Sequence, residues 1–293
     1  MKSRSGSLYS LPLTTWISLF FLVPMLIVFV YSFLARETGG GVRWEFDLSA
    51  YAEIFRQTAS GSFIYLDIVG YTLIMAVSAT LLTILIALPC AYYIARSKNN
   101  TLLLFLVIIP FWVNFMIRIY AWVAILGQSG ILNESLLAMG VLKEPIQFLF
   151  NDYAVLVVLV YTNLPFAILP LFTTIEKFDF GLLEAARDLG ASHNRSLWSV
   201  LLPNIRGGLV TAVLFTFIPI FGTFAVPDVM GNSNVFMLGQ LITSKLKFTG
   251  DYPMACSLSV LILLLSAAGL VVYTVYNNRQ EQQHQVVIAE DEL

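Results

Sequence analysis

The sequence predicts an all-α membrane protein with six transmembrane helices and a cytoplasmic helical segment between the fourth and fifth. Of its 293 residues, 58% are hydrophobic and 12% are charged, and the mean hydropathy is +0.81. A soluble domain has about 25% charged residues, so a water-soluble domain of this size is excluded. The apolar residues fall in blocks of about twenty, the length of a helix that spans a bilayer. The net charge of −2 provides no basic field for nucleic acid.

Six apolar blocks define a transmembrane domain at 13–276, preceded by an N-terminal segment at 1–12 and followed by a polar tail at 277–293. The first block is too long for a signal-peptide core and no small-x-small cleavage site follows it, so we expect a retained span. Pro219 and Gly222 interrupt the fifth block, which membrane helices tolerate when neighbours satisfy the freed carbonyls. The blocks are 13–34, 67–95, 102–126, 153–172, 209–226 and 253–276.

The distribution of lysine and arginine predicts that both termini are cytoplasmic. Arg96 and Lys98 lie in the tight turn between the second and third blocks, and short basic loops face the cytoplasm. Most of the other basic residues then lie on the same side. The loop 35–66 is external in this orientation, and its stretch 46–55 mixes acids with aromatics, as a short interfacial helix does.

No catalytic, metal or cofactor site is expected. Cys90 and Cys256 lie in or beside apolar segments and are predicted to be buried free thiols. His193 and His284 have no partner at metal-ligand spacing and are expected to be solvated. The sequence also lacks a phosphate-binding loop of the G-x-x-x-x-G-K-[ST] type, so we expect no ATP hydrolysis by this chain.

The cytoplasmic segment 175–206 carries the most specific pattern. Apolar residues recur at helical spacing up to Leu189, and Gly190 follows where a helix needs a left-handed C-terminal residue. Ser192 is a candidate N-cap for a second short helix, which Pro203 is expected to stop. Two amphipathic helices joined at a glycine kink could lie in a groove of a cytoplasmic partner or pack on their own bundle. Periodicity alone leaves both interpretations open.

The motif in this segment resembles a known one. Glu184-Ala185-Ala186 is followed after three residues by Gly190, and after nine more by Val200-Leu201-Leu202-Pro203. This spacing resembles the EAA motif of binding-protein-dependent ABC importer permeases, with Val200 in place of the usual isoleucine. The stretch 110–120 resembles the first permease subunit of spermidine/putrescine importers. Asn232 departs from the glycine pair expected after residue 230.

The resemblance implies a permease subunit with a type I ABC importer fold in a bacterial inner membrane. It implies a second permease subunit, two copies of an ATPase subunit below the membrane and a substrate-binding protein outside it, with a polyamine or another small solute as cargo. The residues that match the ATPase-coupling motif are Glu184, Ala185, Ala186, Gly190, Leu202 and Pro203.

Four polar residues in or beside the spans are candidate pathway or gate residues. Arg118 is placed near the outer end of a straight third span, where it could anchor the helix, line a gate or pair with Asp228. Asn114 and Asn163 are mid-span amides, which either bond between helices or line the path. Asp228, at the outer end of the fifth block, could receive a cationic amine or simply be solvated.

Two functions of other classes compete with the permease. A secondary transporter driven by an ion gradient would place acids or proton relays deep in the spans, and none of these blocks carries one. A membrane-embedded enzyme or an assembly scaffold is the third class, and no set of reactive side chains converges in the sequence. Neither alternative accounts for the spacing of the EAA-like residues.

Overall fold

The structure is a computed structural model that describes residues 12–57, 61–231 and 235–291, with side chains of the last helix described to residue 271. The segment 1–11 and Asn232 lie outside these residues. In chain order the helices are α1 (Pro12–Tyr31), α2 (Ser49–Ile54), α3 (Ile64–Arg96), α4 (Asn100–Trp112), α5 (Phe115–Leu126), α6 (Ile131–Ala138), α7 (Asp152–Glu176), α8 (Gly181–Asp188), α9 (His193–Asn204), α10 (Arg206–Phe221), α11 (Leu238–Lys247) and α12 (Tyr252–Asp291).

The described residues form two compact units. The first contains residues 12–68 and Leu241–Leu265, and the second contains Val69–Gln240 and the helix from residue 266. Within the first unit, the strands β1 (Leu34–Arg36) and β2 (Val42–Phe46) pair antiparallel. Arg36 Nη1 lies 3.3 Å from Asp251 Oδ2 and Gly41 donates its N–H to the Gly250 carbonyl, so the ribbon is tied to the loop before α12.

The loop 35–66, predicted to be external, contains both predicted and unpredicted structure. Helix α2 lies inside the predicted interfacial stretch 46–55, and Asp47 accepts the backbone N–H and the hydroxyl of Ser49 at its start. These hydrogen bonds lower the pKa of the Asp47 carboxyl. The two-stranded ribbon was not predicted, so the fold is nearly, rather than entirely, all-α. Its turn uses three successive glycines, Gly39, Gly40 and Gly41, all at positive φ.

The second unit is a helical bundle whose main packing joins α7 and α10. Near the cytoplasmic ends predicted for these helices, Ala87, Leu171 and Ala212 belong to one buried apolar cluster. The two helices approach closely at Gly208, because a Cβ built there would lie 2.2 Å from Thr174 Oγ1. Small residues let membrane helices approach closely in this way.

Among the described residues, five helices are long and apolar enough to span a membrane, or six if α9 and α10, which bend by 75°, count as one span. The predicted spans 67–95, 153–172 and 253–276 correspond to α3, α7 and α12, and the last helix continues through the predicted tail to Asp291. The first span ends earlier than predicted, at Tyr31. The fifth begins at Arg206 and ends at Phe221 rather than at residue 226.

The third span differs most from its prediction. It is broken at Val113 and Asn114, which separate α4 from α5. A helix from α5 through α6, Phe115–Ala138, passes the length and hydropathy requirements of a span, whereas α4 is shorter. Pro110 lies in the 3₁₀ turn that ends α4, and the extended backbone of Val113 stops the hydrogen-bond ladder.

Both cysteines are free thiols, as predicted, but their environments differ. Cys256 is buried, whereas Cys90 is exposed on α3, one residue after Pro89. The prediction that both are buried is therefore wrong for Cys90. In a membrane, the exposed face of α3 that carries Cys90 would contact lipid or another subunit. Both surroundings are apolar, so hydropathy cannot distinguish such a residue from one in the protein interior.

Candidate functional site

The coupling segment is the pair of short helices α8 and α9. The Asp179 carboxylate accepts the Gly181 N–H at 2.9 Å, at the start of α8. Leu183, 2% exposed, points into the buried cluster, and Leu201 and Ile205 at the end of α9 enter the same cluster. The segment is therefore anchored in the bundle from both of its ends, which limits how far it can move independently of the spans.

The junction between the helices has the geometry that the sequence predicts. Gly190 has φ +91°. Its N–H donates to the Arg187 carbonyl at 2.8 Å, and the Ala191 N–H donates to the Ala186 carbonyl at 3.0 Å. These are the two hydrogen bonds of a Schellman C-cap. A Cβ added at Gly190 would meet nothing within 4 Å, so it is the backbone conformation rather than crowding that favours glycine here.

The second helix begins at the predicted cap and continues to Asn204, past the proline that was expected to stop it. The Ser192 hydroxyl accepts the Arg195 N–H at 3.3 Å. Pro203 lies inside the last turn of α9, which ends at Asn204, so the prediction that the proline stops the helix is wrong by one residue. The chain then bends by 75° into α10. Leu202 is half-buried and Pro203 is exposed.

A polar contact locks the two helices together. Arg187 Nη2 lies 2.6 Å from His193 Nδ1. Because a guanidinium only donates hydrogen bonds, Nδ1 is the acceptor in this contact. His193, which was expected to be merely solvated, therefore joins α9 to the last turn of α8. The Arg187 Nε is buried without a partner among the described residues.

The surface left by this packing is apolar at its most exposed points. Leu189 is 91% exposed and Trp198 is 73% exposed. Glu184 and Ala185 are also exposed, whereas Ala186 is half-buried. We call Leu182, Leu189 and Trp198, with Glu184, the coupling surface. Exposed large apolar residues of this kind mark interaction sites.

Within the described residues, no hydrogen bond or ion pair joins the candidate pathway residues to one another. Asn114 is not a mid-span amide: it is the exposed N-cap of α5, and its side chain accepts the Met116 N–H at 2.9 Å. Asn163 is buried, but it donates to the Leu159 carbonyl of its own helix at 2.8 Å and to the Thr162 hydroxyl. Within the described residues these hydrogen bonds stay inside α7, so the expected bond between helices is not formed, and a place on the path stays a prediction for Asn163.

Arg118 is 9% exposed and lies between aromatic rings. Its guanidinium carbon is 4.5 Å from the centroid of Phe111 and 5.6 Å from that of Phe115. Phe111 in turn meets Phe166 of α7 edge to face, so Arg118 joins the two halves of the broken span while Phe111 packs that span on α7. Because the third span is broken, the position near its outer end that was expected for Arg118 on a straight helix no longer applies.

Asp228 is exposed and lies in a separate π-helical turn, Pro227–Gly231, beyond the end of α10. The ion pairs among the described residues join Arg36 to Asp251 and Arg43 to Glu45. The pairing of Asp228 with Arg118, considered from the sequence, is therefore absent from this part of the chain. Sequence reasoning also missed Asp152, which accepts a hydrogen bond from Tyr71.

The described residues combine several helices long enough to span a membrane, a broken span and a helical pair anchored in the bundle, as in a polytopic membrane protein. The sequence matches the family described as binding-protein-dependent transport system inner membrane component over residues 80–283, and the chain belongs to this family. It is a permease subunit of an ABC importer, as the EAA-like motif predicts.

Two relatives are similar to this chain in sequence, and one solved structure is similar in fold. It is 37% identical over 261 residues to the spermidine/putrescine transport system permease protein PotB of Haemophilus influenzae, covering 88% of this chain and 89% of the relative. It is 36% identical to PotB of Escherichia coli K12 over 260 residues, 88% and 92% of the two chains. A bacterial ABC transporter for alginate import matches the fold with a TM-score of 0.75 at 15% identity, covering 94% of this chain and 96% of the other.

Proposed function

We propose that this subunit forms part of the path for a polyamine such as spermidine or putrescine and couples it to ATP hydrolysis in a separate ATPase subunit. The coupling surface is the main support for the ATPase contact. It exposes large apolar side chains on two helices whose opposite side is anchored in the bundle. The substrate class rests on relatives that cover most of the chain. The partners are a second permease subunit, two ATPase copies and an external substrate-binding protein.

Co-purification tests this proposal directly. The tagged subunit, expressed with the other genes of its transport system, is expected to bring down the ATPase subunit in detergent. Leu189→Ser should weaken that association, since it removes the most exposed apolar contact while leaving the buried Leu183 in place. A complex that Leu189→Ser leaves at wild-type stoichiometry, with unchanged ATPase activity, would place the ATPase contact elsewhere.

The first prediction concerns orientation: both termini are cytoplasmic, and so is the turn between α3 and α4. In a variant without Cys90 and Cys256, Lys98→Cys should react only with thiol reagents that enter the cytoplasm. Lys143→Cys, in the loop after α6, should react with impermeant reagents from outside. Both positions are exposed, so access rather than burial decides labelling. The opposite pattern would remove α8 and α9 from the cytoplasmic side and contradict the coupling proposal.

The second prediction concerns Asp228. Its exposed carboxylate follows α10 at the end opposite the coupling segment, and we propose that it faces an incoming amine. Asp228→Asn keeps the side-chain size and removes the charge, and uptake should fall roughly tenfold, equivalent to about 1.4 kcal/mol at the limiting step. Asp228→Glu should retain more activity. Normal uptake by Asp228→Asn at all substrate concentrations would make Asp228 an ordinary solvated acid.

A further inference from the structure

A cavity of about 420 Å³ in the second unit lies at the head of α7. Asp152, Phe150 and Tyr153 line it at one end, and Met75, Ser78 and Leu156 line it along α3 and α7. In the proposed orientation, the heads of α7 and α3 are both external. The cavity therefore runs from the outer ends of two spans toward the membrane interior.

Asp152 lies in the first turn of α7, where a carboxylate is favourable, and its contacts use only one of its two oxygens within the described residues. The Tyr71 hydroxyl donates to its Oδ1 at 2.8 Å, and the described residues give it no ion pair. It is not needed to cap α7, because the Asn151 side chain accepts the Ala154 N–H and donates to the Phe148 carbonyl. Its second oxygen, Oδ2, has no hydrogen bond within the described part of the chain, so a full negative charge is available at the cavity.

Two aromatic residues beside this carboxylate are held in unusual positions. Phe150 has φ +65°, a conformation that residues other than glycine rarely adopt. Its N–H donates to the Met230 carbonyl at 2.8 Å, which fixes this backbone against the turn that contains Asp228. Tyr153, three residues after Phe150, is exposed. A carboxylate flanked by aromatic rings matches an ammonium group, since the acid supplies charge and hydrogen-bond acceptors and the rings supply cation–π attraction.

The other cavity described lies in the first unit and has the opposite charge. It measures about 650 Å³ and is lined by Gly40, Trp44 and Lys247 among others. Arg36 donates to the carbonyl of Thr249, another residue of its lining. Arg36 is neutralised by Asp251, but the Lys247 ammonium would repel an amine and the lining contains no carboxylate, so its aromatic residues do not make it an alternative amine site.

We propose that Asp152, with Phe150 and Tyr153, forms an entry subsite for one ammonium group of the substrate. This inference rests on the proposed polyamine function and adds a residue-level contact to it. The exposed carboxylate receives the amine as it leaves the binding protein, and its water-facing position lets the amine go again. A subsite of this kind acts on transfer through the permease, so it changes the maximal rate of uptake more than the affinity of the binding protein.

Two nearly isosteric variants separate this role from a structural one. Asp152→Asn removes the charge but keeps an oxygen that can accept from Tyr71, whereas Tyr71→Phe removes the hydrogen bond and keeps the charge. Uptake of labelled putrescine and spermidine is measured in cells that express the complete transport system and lack other polyamine importers. Asp152→Asn should lower the maximal rate about tenfold, Asp152→Glu should recover part of it, and Tyr71→Phe should stay within about twofold of wild type.

The reverse pattern, with Tyr71→Phe slow and Asp152→Asn normal, would make Asp152 a structural tie between α3 and α7 and overturn the subsite. Wild-type rates in both variants would overturn it as well, while leaving the polyamine function standing. If the unaltered complex transports neither amine, the proposed substrate fails and the ammonium subsite fails with it. The amount of subunit in the membrane is measured for every variant, and rates are expressed per assembled complex.

Discussion

Gly190→Val is expected to reduce uptake at least tenfold while the subunit remains in the membrane. The residue has φ +91°, and a β-branched side chain strongly disfavours this region. Conformations of this kind cost of order 1–3 kcal/mol. Relief of that strain requires the Schellman hydrogen bonds at the end of α8 to break, which changes the angle between α8 and α9. The coupling surface would then no longer fit its partner.

The effect should appear in two measurements. In membrane vesicles, the uptake of substrate should fall. In the purified complex, either the ATPase activity no longer rises when loaded binding protein is added, or the ATPase subunit is lost. Gly190→Asn should be milder, because asparagine tolerates positive φ better than valine does. Normal uptake with normally stimulated ATPase activity in Gly190→Val would contradict the coupling role of this junction.

Gly140 provides a matched control within the same chain. It ends α6 with the same pair of hydrogen bonds, from Gly140 N–H to the Leu137 carbonyl and from Val141 N–H to the Leu136 carbonyl. Its φ is +69°, and a Cβ there would also meet nothing within 4 Å. Gly140→Val therefore introduces comparable backbone strain in an external loop. It should leave ATPase stimulation intact, so a loss shared by both variants would point to general destabilisation.

Local chemistry explains why the coupling segment could be predicted from sequence. Gly190 and Ser192 act on backbone groups within a few residues of themselves, and such caps depend little on the rest of the fold. The Arg187 contact to His193 was not predicted, although the two are only six residues apart. It exists because the glycine kink folds α9 back toward α8, and the rotation at such a kink cannot be read from residue types.

The pathway candidates were harder to predict because their partners are distant or their helix is broken. Apolar residues continue through the third span, so hydropathy gave no reason to divide it, and Asn114 was placed mid-helix. Its N-cap character, an asparagine shortly after a proline, was the local signal for the break. Asp152 resembled an ordinary acid at a span end, since Tyr71, which contacts it, lies 81 residues earlier.

The last prediction contrasts two adjacent glycines at the start of α10. A Cβ at Gly208 would lie 2.2 Å from Thr174 Oγ1 and 2.6 Å from its Cβ, whereas a Cβ at Gly207 would meet nothing within 4 Å. Gly208→Ala should therefore destabilise the subunit by about 2–3 kcal/mol, the range of overpacking in a closed interface. Gly207→Ala should be neutral or stabilising by at most about 1 kcal/mol, because alanine favours the helix.

Thermal unfolding of the detergent-solubilised complex measures both changes, and a compensating substitution identifies their cause. Thr174→Gly removes all three side-chain atoms that lie nearest to the added methyl group of Gly208→Ala. The double variant should therefore recover most of the lost stability, less about 1 kcal/mol for a glycine within α7. Equal melting temperatures for Gly207→Ala and Gly208→Ala would show that α7 and α10 do not meet at this point.

Because α10 follows directly from α9, whose Leu201 and Ile205 anchor the coupling segment, loosening this contact should also lower stimulated ATPase activity in Gly208→Ala.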